Sequence, residues 1–256
     1  MSRMLWLLEP DVFDAGTHPL RAAAVDAGHR VKLWDDEWWN TDRFPSLDGP
    51  VVFHGSLGNA ARIAKLGRWT PGAYCNAEGF RCSAWYSAAG EWLVHEEYAS
   101  TTVAALVERP GEVARHLVDA DGKVFVRPDS PLKPFSGRVV SLEGLKPADL
   151  DHGFYYDDLE LPVVVTKTQS LGAEYRFVIA RKAVVTGCRY EADGRSAAGT
   201  EVPQEVSDLA GVIATTLRLP TRSTSSTWWR ENAACGWWRS TPSAEPTSTP
   251  ATRRWS

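Results

Sequence analysis

The chain has 256 residues, a formal net charge of -4, 23% charged residues and 43% hydrophobic ones. That is enough for a full core in one or two domains, with the ordinary composition of a soluble globular protein. The acidic balance argues against a general nucleic-acid binder, which is usually basic, and no apolar run nears the ~18–20 residues of a transmembrane helix.

The start, Met1 to Pro10, has too short an apolar core for a signal peptide, and Glu9 and Pro10 interrupt it. A cytoplasmic location is therefore expected, with no membrane partner and no direct nucleic-acid partner. Cys75, Cys82, Cys188 and Cys235 lack zinc-like spacing, since the first two stand seven apart. They read as reduced, mostly buried thiols.

Leu5 to Leu8 predicts a short buried strand, and His18 to Ala27 a helix that Gly28 stops. Val31 to Trp34 predicts a second strand. Strand, helix, strand within about thirty residues suggests a parallel βαβ start. The turn after the first strand lacks Gly-x-Gly-x-x-Gly, which argues against a dinucleotide site of the usual kind. Val51 to Ser56 reads as a third strand with a tight turn, followed by a helix from about Asn59 to Leu66. Gly55 and Ser56 either hold an anion at that helix's N-terminus or make a glycine turn with a serine cap. Residues 67–100 are aromatic and irregular, and predict a covering segment with a strand near Trp92 to His95. His95 with Glu96 and Glu97 has no second cluster to complete a metal site and reads as a solvated rim. Ala99 to Leu106 and Gly111 to Val118 look helical. Asp121-Gly122 is a turn signal.

Two later stretches carry the chemistry. Val124 to Val126 form a strand that delivers Arg127 to its end. Pro128, Pro131 and Pro134 stiffen the loop beyond it, Lys133 sits in that loop, and Ser136-Gly137 allows close backbone approach. Fixed cations and backbone amides are what a polyphosphate needs. Taken alone, such residues also occur as solvated surface. The second stretch holds a strand from Leu161 to Val165, another from Glu174 to Ile179, a hairpin turn at Arg181-Lys182, and an antiparallel return from Ala183 to Tyr190. Alternation puts Glu174, Arg176 and Val178 on one face and Tyr175, Phe177 and Ile179 on the other. Arg189 is expected to join Glu174 and Arg176. A carboxylate between two guanidiniums is costly to bury without a ligand or mutual pairing, and the bland reading is a surface ion-pair ladder.

A lysine loop ending in Phe135-Ser136-Gly137, an apolar strand, then Glu174-Tyr175-Arg176-Phe177-Val178, then Gly187-Cys188-Arg189-Tyr190, in this order, resembles the ATP-grasp fold. The likeness spans roughly residues 120–220 and is closest to small ATP-grasp proteins of phages and bacterial RNA-repair or tagging gene clusters. It implies a pre-ATP-grasp α/β domain (1–118) and an α+β nucleotide-binding domain (119–220). By that resemblance Arg127 stands where many ATP-grasps place a phosphate-binding Lys, and Lys133 contacts phosphates from the flexible loop. Val165 to Lys167 form the hinge beside adenine, with Lys167 near the base or α-phosphate. Glu174 and Arg176 face the nucleotide or acceptor, and Arg189 the reacting phosphate. The implied activity joins a small-molecule or peptide carboxylate to an amine (or thiol) through an acylphosphate, using ATP and magnesium. Family members hold the magnesium with acidic residues and a Glu-x-Asn on the last strands.

That last motif is missing. Residues 207–217 look helical, but 221–256 contain no Val, Leu, Ile, Phe or Tyr, and hold five of the twelve Trp. Such a segment reads as disordered and unable to supply core strands. The ATP-grasp fold is therefore expected to lack its final metal-binding strands, leaving a chain that binds ATP weakly and is catalytically poor. The single Trp codon, TGG, suggests an origin. Read one base back, Thr227-Trp228-Trp229-Arg230 and Gly236-Trp237-Trp238-Arg239 both give (Leu, Val or Met)-Val-(Glu or Ala), and Arg239 to Ala244 permit Glu-Val-Asn-Pro-Phe-Ser-Gly. A base lost near the Pro220 codon would produce this, the alternative being a genuine Ser/Thr/Pro/Trp-rich tail. The competing functional class is a non-catalytic module that uses Lys133, Arg176 and Arg189 for another anion. Metal dependence and adenine selectivity of binding separate the two. A nucleotide-sugar transferase, suggested by the N-terminal βαβ alone, would need a carboxylate metal motif that residues 30–120 do not show.

Overall fold

The computed structural model describes residues 3–10, 20–95, 97–150, 158–170, 172–192, 195–199, 201–217 and 238–239, of which 190–199 and 238–239 are described by backbone alone. Leu5–Leu8 (β1), helix Leu20–Asp26 (α1) and Arg30–Leu33 (β2) make the expected βαβ unit, and Gly28 ends its helix segment at φ 77°. A short helix, Glu37–Thr41 (α2), precedes Val51–His54 (β3). Helix Leu57–Leu66 (α3) and the two-residue Pro71–Gly72 (β4) follow. These strands form one parallel sheet in the order β2-β1-β3-β4. Leu5, Leu7, Val51 and Phe53 point to one side, where Trp34, Ile63 and Trp69 complete a buried cluster.

The aromatic segment after residue 67 is more ordered than its composition suggests. Cys82–Ala89 forms a helix (α4) that the sequence reading does not anticipate. Trp92 closes a 3-10 turn, and the strand expected at Trp92 to His95 starts later, at Tyr98–Thr102 (β5). The helix expected from Ala99 begins only at Val103–Glu108 (α5), because the Thr102 hydroxyl accepts from Ala105 N and caps it there. Tyr98, Thr101 and Thr102 suit a pleated surface better than a helix, and they pair with a later strand. Helix Pro110–Ala114 (α6) and a 3-10 turn at Arg115–Leu117 lead into Lys123–Pro128 (β6).

Arg138–Ser141 (β7), helix Pro147–Leu150 (α7) and Pro162–Thr166 (β8) complete a second, antiparallel sheet in the order β5-β8-β6-β7. Val124, Val126, Val163 and Val165 face α5, α6 and α7 in the largest core cluster. Glu174–Ala180 (β9) and Ala183–Ala192 (β10) then form a hairpin whose turn residues Arg181 and Lys182 have φ of 50° and 63°. Two left-handed residues in succession match the twist of a two-residue hairpin, so the turn expected there is the one adopted. Arg195–Gly199 (β11) adds antiparallel to β10. Helix Gln204–Thr216 (α8) lays Val206 and Ala210 against Tyr175 and Phe177.

The third sheet ends with Trp238–Arg239 (β12), antiparallel to β9 with Trp238 opposite Tyr175 and Arg239 opposite Glu174. Two residues of the tail thus pair with this sheet edge through their backbone. A sheet edge offers backbone N–H and C=O groups that pair with extended chain whatever its side chains. The rest of the tail, including Cys235, lies outside the described residues, as do Glu96 and the Tyr190 side chain. No helix among the described residues is long and apolar enough to cross a membrane.

Candidate functional site at the mouth of β6

Alternation along β6 sends Val124 and Val126 into the core and leaves Phe125 and Arg127 half-buried on the opposite face. β8 is in matching register: Val164 lies opposite Arg127 and Thr166 opposite Phe125. Helix α4 covers this face. Cys82, Tyr86 and Val164 form a small buried cluster, with Tyr98 edge-on to Tyr86 at 5.3 Å. Arg127 Nη1 donates to the Tyr86 hydroxyl at 3.3 Å. Burial pushes that hydroxyl far above the ordinary tyrosine value, against the lesser pull of the Arg127 guanidinium, so it stays a neutral phenol. Burial likewise pushes the Cys82 thiol up.

Beyond β6 the chain is pinned. Asp129 is 5% exposed. Its carboxylate accepts from Ser83 N at 2.7 Å and from Ser83 Oγ at 2.9 Å, and Arg81 Nη1 stands 3.6 Å away. Its backbone N–H donates to Pro162 O and its carbonyl accepts from Cys82 N. A tight turn follows, with Ser130 O accepting from Lys133 N at 3.2 Å and Lys133 at φ 48°. Lys133 itself is exposed, while Phe135 is buried in the main core and anchors the loop. Gly137 crosses the strand closely. A Cβ there would stand 2.6 Å from Phe125 Cζ and 3.3 Å from Arg127 Cβ. The close approach expected of Ser136-Gly137 is therefore directed at the Arg127 strand.

The second stretch is only partly assembled as expected. Val165 is fully buried in the core, so only its backbone could meet a ligand, and Lys167 is exposed just after β8. Thr168 next to it donates to the Asp119 carboxylate, four residues before β6. Glu174 is 5% exposed and Arg176 half-buried, and alternation gives them a common face away from α8. Arg189 does not join them. The hairpin register sets Cys188 opposite Arg176 and Arg189 opposite Tyr175, so Arg189 is exposed on the α8 side. The cause is a register shift between Val184 and Thr186, which turns over every side chain beyond it.

At the carboxyl ends of the parallel strands, the other candidate anion seat is taken by the chain itself. Glu9 accepts from Ser56 N at 2.7 Å, Ser56 Oγ at 3.1 Å and Asn59 Nδ2 at 2.9 Å, while Ser56 Oγ caps α3 through Asn59 N. The serine cap is thus present, with a carboxylate of this chain where an external anion could have sat. His95 stacks on Phe125 at 6.2 Å. Among the described residues, no three His, Cys, Asp or Glu side chains are grouped to hold a metal ion.

Sequence reasoning missed Tyr86, Ser83 and Asp129 as site residues. Arg127 and Tyr86 are 41 positions apart, and nothing local marks them as partners. Asp129 had one available signal, a carboxylate just past a strand end.

No curated protein matches the chain. Among solved structures, the RimK domain ATP-grasp protein of Sphaerobacter thermophilus aligns with a TM-score of 0.56 and 16% identity, over 85% of this chain and 83% of that one. D-cycloserine synthetase DcsG aligns with a TM-score of 0.51 and 15% identity, over 83% and 80%. Phosphoribosylamine–glycine ligase of Thermotoga maritima aligns with a TM-score of 0.54 and 11% identity, over 84% of this chain and 60% of that one. At such identities the likeness is one of fold. It agrees with the mixed parallel and antiparallel sheets described above, and with the fold class expected from the sequence. The profile of an ATP-grasp domain family, the second family of its clade, matches residues 80–217, a span that contains β6, its glycine crossing and the β9–β10 hairpin, and the chain belongs to that ATP-grasp family.

Proposed function

We propose that the chain is an ATP-grasp ligase in lineage, built to activate a small-molecule or peptide carboxylate as an acylphosphate for an amine (or thiol), and impaired in its present reading frame. The observation that carries this is the family match, which includes the whole β6 mouth and ends at residue 217, just before the composition of the chain changes. The nucleotide half fits a polyphosphate. Arg127 is fixed at the strand end, Lys133 is exposed in the adjoining turn, and Gly137 brings backbone over the same strand. ATP bound there would supply the phosphoryl group, with Arg127 and Lys133 binding phosphates, and Val165 and Lys167 beside the base. Glu174 and Arg176 would face the reacting end. Arg189, on the other face, is better suited to a supporting role than to touching the transferred phosphate.

The residues described do not fit a magnesium ion, and no step is assigned to one. Glu174 is the buried carboxylate of this face, and one carboxylate does not make a site. A frame shift near Pro220 accounts for this. β12 lies against β9 at Glu174, and the codon straddling Trp238 and Arg239 reads Glu or Ala in the shifted frame, with Val-Asn permitted after it. We place the domain boundary near residue 118 and the protein in the cytoplasm.

The test is calorimetric titration of the 256-residue chain with ATP and GTP, with and without magnesium, beside a chain with the frame restored. Weak, adenine-selective binding by the first and magnesium-dependent ATP turnover by the second is the expected pair of results. Equal binding of any polyanion would favour a non-catalytic anion-binding module. A restored chain with no turnover on broad acceptor screens would reject the ligase reading.

A further inference from the structure

Helix α4 and the end of β6 are joined at two points on the same helix face. Ser83 holds Asp129, and Tyr86, three residues on, holds Arg127. Their partners are two residues apart, Arg127 near the end of β6 and Asp129 just past it, and both meet this one helix. An arginine and a carboxylate so placed would ordinarily pair with each other and leave little net charge. Here α4 separates them. The Asp129 carboxylate is satisfied by the Ser83 backbone N–H, the Ser83 hydroxyl and the nearby Arg81 guanidinium. Arg127 receives instead a neutral hydroxyl, on a side chain 3% exposed and wedged between Val164 and Tyr98.

We infer that Tyr86 is a positioning residue for Arg127, and that the Ser83–Asp129 clamp keeps the neighbouring carboxylate from neutralising it. The physical logic has two parts. A free arginine side chain samples many rotamers, and an anion must offset their loss when it orders the guanidinium. A rigid phenol removes part of that cost beforehand, as preorganised sites do. A neutral acceptor also leaves the positive charge whole, whereas a carboxylate acceptor would compete with phosphate for the same N–H groups. Ser83–Asp129 and Tyr86–Arg127 therefore act together: one withdraws the negative charge, the other aims the positive one.

The inference rests on the reading of Arg127 as a phosphate ligand, and a double-mutant cycle keeps the two apart. ATP affinity is measured by titration for the parent chain, Tyr86→Phe, Arg127→Ala and the double variant, with urea midpoints taken alongside. Arg127→Ala is expected to weaken binding about tenfold or more, a typical loss for a hydrogen-bonded charge. Tyr86→Phe is expected to weaken it severalfold in the parent and not at all when Arg127 is absent. A loss from Tyr86→Phe that persists in the Arg127→Ala background would mean a general packing effect and overturn the inference, as would no loss in the parent. Arg127→Ala without effect would overturn the phosphate-ligand reading itself. Ser83→Ala provides a second arm: weaker ATP binding is expected again, through Asp129 turning toward Arg127, and unchanged affinity with Asp129 released counts against the clamp.

Discussion

Gly137 has room for a hydrogen atom and little else, because a Cβ would meet the Phe125 ring at 2.6 Å and Arg127 Cβ at 3.3 Å. Gly137→Ala is expected to push the loop off the strand at a strain of about 1–3 kcal/mol. ATP affinity, measured by titration, should fall about tenfold, the equivalent of ~1.4 kcal/mol, with little change in the far-ultraviolet spectrum. Unchanged affinity would show that the crossing does not shape the site. The thiols give a second residue-scale expectation. Cys188 is exposed and Cys82 fully buried, with burial pushing the Cys82 thiol up, and that of Cys75 as well. A brief alkylation of the folded chain should label Cys188 ahead of Cys75 and leave Cys82 intact by peptide mass mapping, since thiolate and access both govern the rate. At this scale the sequence was informative where chemistry is local. Arg127 at a strand end and the Ser136-Gly137 approach are written in consecutive residues. Tyr86 was not legible, because its partner is set by how a helix of the aromatic segment docks on a strand 41 residues later.

Elements whose signals are contiguous were readable: β1, α1 and β3 follow from apolar runs and a glycine stop, and the β9–β10 hairpin from its alternation. Two of the misreadings turn on a single cap or bulge. Thr102 decides between helix and strand around Ala99, and one extra residue near Val185 decides which face Arg189 takes. Register is a tertiary quantity that a one-residue slip inverts, so alternation within one strand cannot settle it across a hairpin. Caps also carry a testable energy. Ser56 both caps α3 and donates twice to Glu9. Ser56→Ala removes the cap and one of those donors, and should cost about 1–2 kcal/mol by urea denaturation. A loss below a few tenths would mean that Glu9 recruits Asn59 alone at no cost.

For the whole molecule, stability should depend on acid through the tie between the segment leading into β6 and the one leaving β8, its antiparallel neighbour. Asp119, before β6, is held below its ordinary carboxyl value first by the Thr168 hydroxyl beyond β8, then by the Lys123 and Asp121 backbone N–H groups. The folded chain therefore binds that proton less readily than the unfolded chain. The stabilisation is complete above the ordinary value of about 3.9 and is lost as pH falls through the lowered folded value. Asp119→Asn should flatten the acid limb of the urea midpoint below about pH 4, where the carboxyl begins to take up its proton. An unaltered limb would assign acid sensitivity elsewhere. The same scale shows why the family was legible while the full site was not. Order and spacing of strands survive in the sequence up to residue 217. Beyond Pro220 the sequence carries no apolar pattern from which further strands could be read.

The neutral phenol against Arg127 also fixes what a pH titration of binding can report. Guanidinium does not lose its proton in proteins, and the buried Tyr86 hydroxyl keeps its own well into alkali. This pair exchanges no protons near neutrality. Any change in anion affinity between about pH 6 and 8 that survives in every variant outside this pair is then a property of the anion, whose last phosphate proton titrates there. If Arg127 holds phosphate as proposed, the protein side of this pair acts as a fixed electrode, and the ligand supplies the variable charge.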